Sequence, residues 1–362
     1  MTCVKTIRQE NSENSFPVSN ITYLGNNKIG IKDISHIEIW DIIKGERLKK
    51  IIDTDEYCLR HLVEYIRDNL FVIEMLSEFS SIKLFDFNTG IFIHTILDIQ
   101  TNINSLLYIG DNILVTSVSY YYEFVSIKVC NIATCECINT IKLNQCERVK
   151  NLISLGNNNI AGISEILFSG HSIYIKIWNI VTGECLKKIQ VPNISTIIYN
   201  GNNTIISSSS NECNISLWDI TTGESLKTLV GHTNRVNDIV YLDNDIIASG
   251  SCDNTIKIWC LTTGKCIHTL EDHTNEVMHI LYTDNYNLVS ISLDNTIKIW
   301  DVSTIPNLIS QEVPVAEDIV AVECYEEGGE AAVSINVTLP IDSSNRRTTM
   351  TNVDSDSSSD EE

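Results

Sequence analysis

A pattern of about fifteen residues recurs seven times along the chain and limits what it can fold into more than any other feature. The copies read IEIWDIIKGERLKKI at 37–51, IKLFDFNTGIFIHTI at 82–96, IKVCNIATCECINTI at 127–141, IKIWNIVTGECLKKI at 175–189, ISLWDITTGESLKTL at 215–229, IKIWCLTTGKCIHTL at 256–270 and IKIWDVSTIPNLISQ at 297–311. The fourth position of each copy falls at Trp40, Phe85, Cys130, Trp178, Trp218, Trp259 and Trp300. A period of about 40–48 residues indicates seven structural units that stack side by side.

Each copy has the alternation of a β-hairpin. Isoleucines alternate with polar residues in stretches such as IKIW, a turn of the TTG type follows, and a second alternating stretch such as ECLKKI comes after it. Upstream of each copy, Asn-, Asp- and Gly-rich turns join two further alternating stretches, as at 108–115 and 154–162. The sequence therefore predicts four antiparallel strands in every repeat.

Several repeats carry a Trp-Asp pair at the end of the first alternating stretch, namely Trp40–Asp41, Trp218–Asp219 and Trp300–Asp301, with near matches at Phe85–Asp86 and Trp178–Asn179 and a poor one at Cys130–Asn131. With these pairs and this period, the chain resembles the WD-repeat family over residues 2–302, most strongly over 215–301. The resemblance implies an all-β fold, a seven-bladed β-propeller built from residues 1–310.

The family also implies how the ring closes, because its first strand usually completes the last blade. Residues 2–7 resemble the outer strands predicted at 184–189 and 265–270, whereas the last repeat loses the pattern at 305–307, where Pro306 removes a backbone donor. We therefore expect the N-terminal strand to close the propeller.

Charge sets residues 311–362 apart from the propeller. The whole chain has a formal net charge of −22, and this acidic tail, rich in Ser, Glu and Val, holds 13 acidic residues and two arginines. We expect it to be disordered at least from residue 343. Such acidity disfavours binding to nucleic acid, and no apolar run approaches the ~18 residues of a membrane helix. The composition favours a monomeric, cytoplasmic protein with reduced cysteines, although a nuclear location is also open.

By resemblance to the family, two repeats contain a buried hydrogen-bonded tetrad, which comprises His232, Ser249, Asp253 and Trp259 in one and His273, Ser290, Asp294 and Trp300 in the other. A third repeat retains a partial set, Ser208, Glu212 and Trp218. A Ser-His-Asp hydrolase is the alternative, but the set occurs twice at equivalent positions and lacks a nucleophile elbow. We interpret the tetrads as structural and predict no catalytic residue and no cofactor.

Four cysteines, Cys130, Cys135, Cys137 and Cys146, are close in sequence and raise the alternative of a zinc site. Three of them occupy repeat positions held elsewhere by the tryptophan, the turn glycine and an outer-strand residue. Packing as small apolar side chains is therefore the favoured interpretation, and no metal site is predicted.

The resemblance further implies that partners dock where each blade's innermost strand begins. The candidate rim residues are Pro17, Tyr57 or Cys58, Asn102, Arg148, Asn193, Arg235 and Glu276, together with Cys252 and Leu293, which precede the tetrad aspartates. Arg148 and Arg235 suit a carboxylate or phosphate, so acidic or phosphorylated proteins or peptides are the expected partners. Two solvated arginines are the equally open alternative.

The tail contains candidate phosphorylation sites. Ser357, Ser358 and Ser359 each have an acidic residue three positions later, and Thr349 follows Arg346 and Arg347. The alternatives are a tail that merely solubilises the protein and a tail that competes with partners for the rim arginines.

We therefore expect a non-enzymatic scaffold that assembles partner proteins on a rigid surface. The alternative is a substrate-recognition subunit of a ubiquitin ligase. An F-box would need a helical module of ~40 residues, whereas about 16 residues precede the first inner strand, and no Trp-Asp-x-Arg box is present.

Overall fold

The structure is a computed structural model that describes residues 1, 3–8, 20–32, 37–51, 58–67, 70–76, 80–86, 89, 91–99, 102–120, 124–166, 172–283 and 285–305. These residues form seven antiparallel sheets of four strands each, as the repeat predicts. Within them, no helix is both long enough and apolar enough to cross a lipid bilayer. The predicted tail, its boundary after residue 310 and its phosphorylation sites lie outside the described residues.

Each sheet is one blade. In blades one to six the strands follow one another in chain order from the inner to the outer edge, and in blade seven the outer strand is the first strand of the chain. Blades one to four comprise β2 (Asn20–Tyr23), β3 (Lys28–Lys32), β4 (Ile37–Asp41), β5 (Glu46–Ile51); β6 (Cys58–Arg67), β7 (Leu70–Leu76), β8 (Ser80–Asp86), β9 (Phe92–Ile99); β10 (Asn102–Tyr108), β11 (Ile113–Tyr120), β12 (Phe124–Asn131), β13 (Glu136–Lys142); and β14 (Glu147–Gly156), β15 (Asn159–Ile166), β16 (Ser172–Asn179), β17 (Cys185–Val191). Blades five to seven comprise β18 (Ile194–Tyr199), β19 (Thr204–Ser209), β20 (Ile215–Asp219), β21 (Ser225–Leu229); β22 (Val236–Asp243), β23 (Ile246–Ser251), β24 (Ile256–Cys260), β25 (Lys265–Leu270); and β26 (Val277–Tyr282), β27 (Asn287–Ser292), β28 (Thr296–Asp301), β1 (Cys3–Arg8).

The blades form a closed ring through their innermost strands. Each of these strands contacts the innermost strands of the blades before and after it, and β26 of the last blade contacts β2 of the first. Apolar side chains fill the space between neighbouring blades. Ile206 and Ile215 of blade five, for example, pack with Val236 and Trp259 of blade six. The core is therefore a series of interfaces between blades.

The N-terminal strand completes blade seven, which confirms the predicted closure. β1 pairs antiparallel with β28, and the partners include Cys3 with Trp300 and Ile7 with Ile297. Ile7 is buried in the cluster that joins blade seven to blade one, where it packs with Ile29. The first residues of the chain thus supply both an outer strand and part of the core.

A second set of contacts links the outer strands around the ring. In at least five blades, an outer-strand side chain donates a hydrogen bond to a backbone carbonyl in the last turn of the next blade. These clasps are Lys5 Nζ to Ile43 O (2.6 Å), His94 Nε2 to Ile132 O (3.0 Å), Asn139 Nδ2 to Ile180 O (2.7 Å), Lys187 Nζ to Thr221 O (2.6 Å) and Lys227 Nζ to Thr262 O (2.7 Å). They join each blade edge to its neighbour, and the Lys5 clasp joins the two ends of the ring.

We expect deletion of residues 1–8 to lower the melting temperature by several degrees or more, because it removes a whole strand and exposes the core that Ile7 covers. Lys5→Ala, which removes only the clasp, should have a smaller effect. Val4→Ala is the matched control, since the Val4 side chain is 63% exposed on the same strand. A melting temperature that the deletion leaves unchanged would contradict closure by β1.

Candidate functional site

The polar tetrad of blade six is a continuous hydrogen-bonded chain from the core to the loop above it. Trp259 Nε1–H donates to Ser249 Oγ (2.8 Å), and Ser249 Oγ lies 2.7 Å from His232 Nε2. His232 Nδ1 lies 2.7 Å from Asp253 Oδ2, which also accepts the backbone N–H of Thr233. This series of hydrogen bonds connects the strands β23 and β24 to the loop that enters β22.

Blade seven repeats this geometry. Trp300 donates to Ser290 (2.8 Å), Ser290 lies 2.7 Å from His273 Nε2, and His273 Nδ1 lies 2.8 Å from Asp294. Burial lowers the pKa of His273 in spite of its bond to Asp294, so the ring is neutral at pH 7. Since an ionised carboxylate only accepts hydrogen bonds, Nδ1–H donates to Asp294 and Nε2 accepts from the serine.

The aspartates of both tetrads are ionised. Burial opposes ionisation of Asp294, but hydrogen bonds from Thr296, His273 and the backbone N–H of Thr274 outweigh it and lower the pKa of Asp294 to about 2. The same contacts at the equivalent positions lower the pKa of Asp253 further. Each tetrad therefore holds one buried negative charge that is fully hydrogen-bonded.

The distances match those of a catalytic Ser-His-Asp triad, but the surroundings differ. Ser249 and Ser290 have no exposed surface, and each already accepts a hydrogen bond from a buried tryptophan. A substrate carbonyl would have to reach the serine oxygen to react. The burial therefore favours the structural interpretation.

Blade five corrects the partial set that the sequence suggested. Trp218 Nε1–H donates to Ser207 Oγ (2.8 Å), not to Ser208, whose hydroxyl bonds Ser195 Oγ at 2.7 Å. The run of four serines at 207–210 has no alternation from which the register could be read. The pairing of Ser207 with Ser216, like that of Ser249 with Lys257, identifies the correct serine. Glu212 is exposed and outside this network.

Blade four contains a different buried network, which the sequence did not reveal. Glu147 Oε1 accepts hydrogen bonds from Ser164 Oγ and Lys176 Nζ, both at 2.6 Å, and Oε2 accepts one from Asn144 Nδ2 at 3.0 Å. Burial raises the pKa of Glu147, but these donors together lower it below its usual value. This ion pair joins β14, β15 and β16, whereas blades six and seven use a tetrad.

A glycine explains why this blade lacks a tetrad serine. Gly162 pairs with Lys176 as Ser249 pairs with Lys257, so it holds the serine's position. A Cβ atom at Gly162 would lie 2.9 Å from Val149 Cγ1. The close approach of β14 therefore leaves no space for a serine side chain.

The predicted rim residues meet in pairs. Arg235 O accepts the N–H of Cys252 (2.8 Å), and Glu276 O accepts the N–H of Leu293 (2.9 Å). In blade five, Asn193 O accepts the N–H of Ser210 (2.9 Å), so Ser210 is the rim residue that the sequence analysis missed. The same backbone hydrogen bond in each pair shows that the pairs occupy equivalent places in three successive blades.

One side-chain contact crosses from blade six to blade seven at this rim. Cys252 Sγ–H donates to Glu276 Oε2 (3.1 Å) and also lies 3.4 Å from Asn237 Oδ1. Burial and the Glu276 carboxylate raise the pKa of Cys252, so it remains a thiol at pH 7. The thiol acts here as a hydrogen-bond donor.

The rim also presents exposed polar side chains. Asn102, Arg148, Asn193 and Arg235 are exposed, whereas Cys252, Glu276 and Leu293 are half-buried. Neither arginine forms an ion pair with any residue that the structure describes. Pro17 and Tyr57 lie outside the described residues, and Cys58 is described only as the first residue of β6.

The cysteine cluster of blade three lies where the repeat alignment predicts. Cys130 is fully buried at the tryptophan position, and Cys135 has a φ of 60° at the turn position that is glycine in the sequence of five other blades. Cys137 is exposed on β13. Among the described residues, no three His, Cys, Asp or Glu side chains are arranged to hold a metal ion.

The geometry defines a closed seven-bladed β-propeller with buried polar tetrads and an exposed rim. Residues 223–260 and 264–301 match the family model described as "WD domain, G-beta repeat". With the seven blades, these matches make the chain a WD-repeat protein. WD-repeat propellers are commonly scaffolds for protein interactions and are generally not enzymes.

Solved structures agree on the fold. The crystal structure of the computationally designed Ika8 protein superposes with a TM-score of 0.62 at 21% sequence identity, over 82% of this chain and 99% of the designed one. At this identity the likeness concerns the fold alone. No curated protein sequence matches the chain.

We expect Asp253→Ala to destabilise the protein, because His232 and the backbone N–H of Thr233 lose their acceptor, at about 1–3 kcal/mol for each unsatisfied buried group. The midpoint of chemical denaturation measures the effect. Asn211→Ala is the matched control, since Asn211 occupies the same loop position in blade five, is exposed and has no tetrad histidine beside it. Equal midpoints for the two variants would contradict a structural role for the tetrad.

The tetrad aspartates also predict an acid limit of stability. Because folding depresses the pKa of Asp294 from its usual 3.8 to about 2, its stabilising effect is present above pH 4 and is lost as the pH falls toward 2. The free energy of unfolding should decline over that window. The decline should be shallower in the Asp253→Asn/Asp294→Asn variant, and parallel curves for the two proteins would show that other groups control acid unfolding.

Proposed function

We propose that this protein is a non-enzymatic scaffold that binds acidic or phosphorylated segments of partner proteins at the propeller rim. The observation that carries the proposal is the pair of exposed arginines, Arg148 and Arg235, at equivalent inner-strand entries of an acidic protein. An arginine guanidinium holds a carboxylate or phosphate with two parallel hydrogen bonds. Neither guanidinium forms an ion pair with a residue that the structure describes, so both are available to a ligand.

The spacing of the two arginines specifies the ligand further. Arg148 belongs to blade four and Arg235 to blade six, so blade five lies between them, with Asn193 and Ser210 at its rim. A segment that binds both arginines must place one anionic group on each side of blade five. The exposed amide of Asn193 suits the backbone of such a segment. The proposed ligand is therefore an extended peptide with two separated acidic or phosphorylated residues.

The rim backbone supports this role because it is already ordered before a ligand arrives. The bonds from Cys252 to Arg235 and from Leu293 to Glu276 hold the loops together, and the tetrads anchor those loops to the core. A preorganised surface avoids the entropy cost of ordering on binding. The tail sequence DSDSSSDEE at 354–362 carries the same chemistry as the proposed ligand, so we propose that it competes with partners, more strongly when phosphorylated.

The double variant Arg148→Ala/Arg235→Ala should bind a purified partner at least about tenfold more weakly, since each charge-assisted bond contributes about 1.5–3 kcal/mol. Partners would be collected by affinity purification and identified by mass spectrometry, and their Kd measured at low and physiological salt. Lys142→Ala/Lys265→Ala is the control, because it removes the same charge from exposed outer-strand positions.

Deletion of residues 343–362 separates the two parts of the proposal. If the tail competes for the rim, the deletion should tighten partner binding to the intact rim and have no effect in the double arginine variant. Equal affinities of all these proteins at both salt concentrations would move the docking surface to the blade edges.

A further inference from the structure

Four outer strands carry a cysteine at the same position. Cys3, Cys137, Cys185 and Cys266 lie at the first or second paired position of β1, β13, β17 and β25, next to the bulge in each strand pair. Each Sγ–H donates to the carbonyl two residues further along, at 3.2–3.5 Å. The four thiols therefore share one local backbone geometry.

The residue opposite the outer-strand cysteine is different in blade three. Cys3, Cys185 and Cys266 lie opposite Trp300, Trp178 and Trp259 in the strand pairing. Cys137 lies opposite Cys130, because blade three has a cysteine in place of the tryptophan. The loss of one tryptophan thus brings two thiols together on neighbouring strands.

The two cysteines face each other across the strand pair. Cys130 and Cys137 are direct partners in the antiparallel register of β12 and β13. Residues opposite each other in an antiparallel pair have Cα atoms about 4.5–5.5 Å apart, which lies within the range that a disulfide requires. Cys130 is fully buried, while Cys137 is exposed to solvent. One sulfur is accessible to a solute, and the other lies behind it.

We propose that Cys130 and Cys137 form an oxidation site that hydrogen peroxide converts into a disulfide across β12 and β13. In the first step, Cys137 Sγ attacks the peroxide, the O–O bond breaks, and the sulfur becomes a sulfenic acid. The leaving hydroxide takes the thiol proton and forms water. In the second step, Cys130 Sγ attacks Cys137 Sγ, the S–S bond forms and the S–O bond breaks. The released hydroxide takes the Cys130 proton and forms the second water.

The second step depends on the position of Cys130 and not on its acidity. Burial and the neighbouring Cys137 raise the pKa of Cys130 to about 12, so little thiolate is present at neutral pH. The strand register offsets this, because it places Cys130 opposite the Cys137 sulfur that it attacks, and we expect the disulfide to form before a solute captures the sulfenic acid. The disulfide would also fix β13, whose Asn139 clasps the carbonyls of Ile180 and Val181 in blade four.

The test is to treat the full-length protein with hydrogen peroxide and map its disulfides without reduction. Cleavage after Lys128, Glu136 and Lys142 separates Cys137 from Cys130 and Cys135. The linked fragments should appear with the loss of two hydrogens. The Cys135→Gly variant, which has the glycine of five other blades at this turn, should form the same link and so identify Cys130 as the partner.

The matched controls are Cys185 and Cys266, which have the same exposure and backbone geometry but face a tryptophan. Their oxidation should stop at the sulfenic acid, which reacts with dimedone. Cys137 should give no dimedone adduct, because Cys130 converts its sulfenic acid into a disulfide. In Cys130→Val, the dimedone adduct of Cys137 should increase by about tenfold, because the resolving thiol is gone.

Two outcomes would overturn the proposal. One is a link between Cys135 and Cys137 in place of the Cys130 link. The other is a Cys137 sulfenic acid that accumulates in the unchanged protein as it does at Cys266. The second readout does not depend on the stability of a variant, since it is measured on the native sequence.

Discussion

The pairing of β1 with β28 is the contact on which the rest of the ring depends. Every other blade is assembled from consecutive strands, but blade seven joins residues from the two ends of the propeller. Without that pairing, the apolar surface between blades seven and one, where Ile7 meets Ile29, would be open to water. The rim could then not hold its arginines at a constant separation, because that separation depends on a closed ring.

Inside the ring, the blades meet the same requirement with different chemistry. Each must anchor polar groups near its third strand without leaving them unsatisfied. Blades six and seven use the tetrad, and blade five retains only the bond from Trp218 to Ser207. Blade four uses the buried pair of Glu147 and Lys176, and in blade one Trp40 donates to Glu38 at 2.9 Å. These solutions are local, so a change in one blade leaves its neighbours' networks intact.

The sequence predicted the strands, the seven blades and the closing strand, because the alternation of isoleucine with polar residues and the repeat length are local signals. The tetrads were equally readable, since their four residues keep constant offsets. The errors and omissions have physical reasons. Four consecutive serines hid the choice between Ser207 and Ser208, and the partnership of Glu147 with Lys176 joins residues 29 positions apart without any repeat to indicate it. The pairing of Cys130 with Cys137 across a bulge could be read only from the strand register of the structure.

The clasps between outer strands have a consequence for how far the repeats can diverge. Each donor is a side chain, but each acceptor is a main-chain carbonyl, as with Lys227 and the oxygen of Thr262. A carbonyl is present whatever residue occupies the turn, so substitutions in the accepting turn leave the bond in place. Lysine, histidine and asparagine all serve as donors in this one ring. Only the donor position of each clasp therefore requires a particular kind of side chain. The turns that provide the acceptors can change in sequence while neighbouring outer strands remain hydrogen-bonded around the ring.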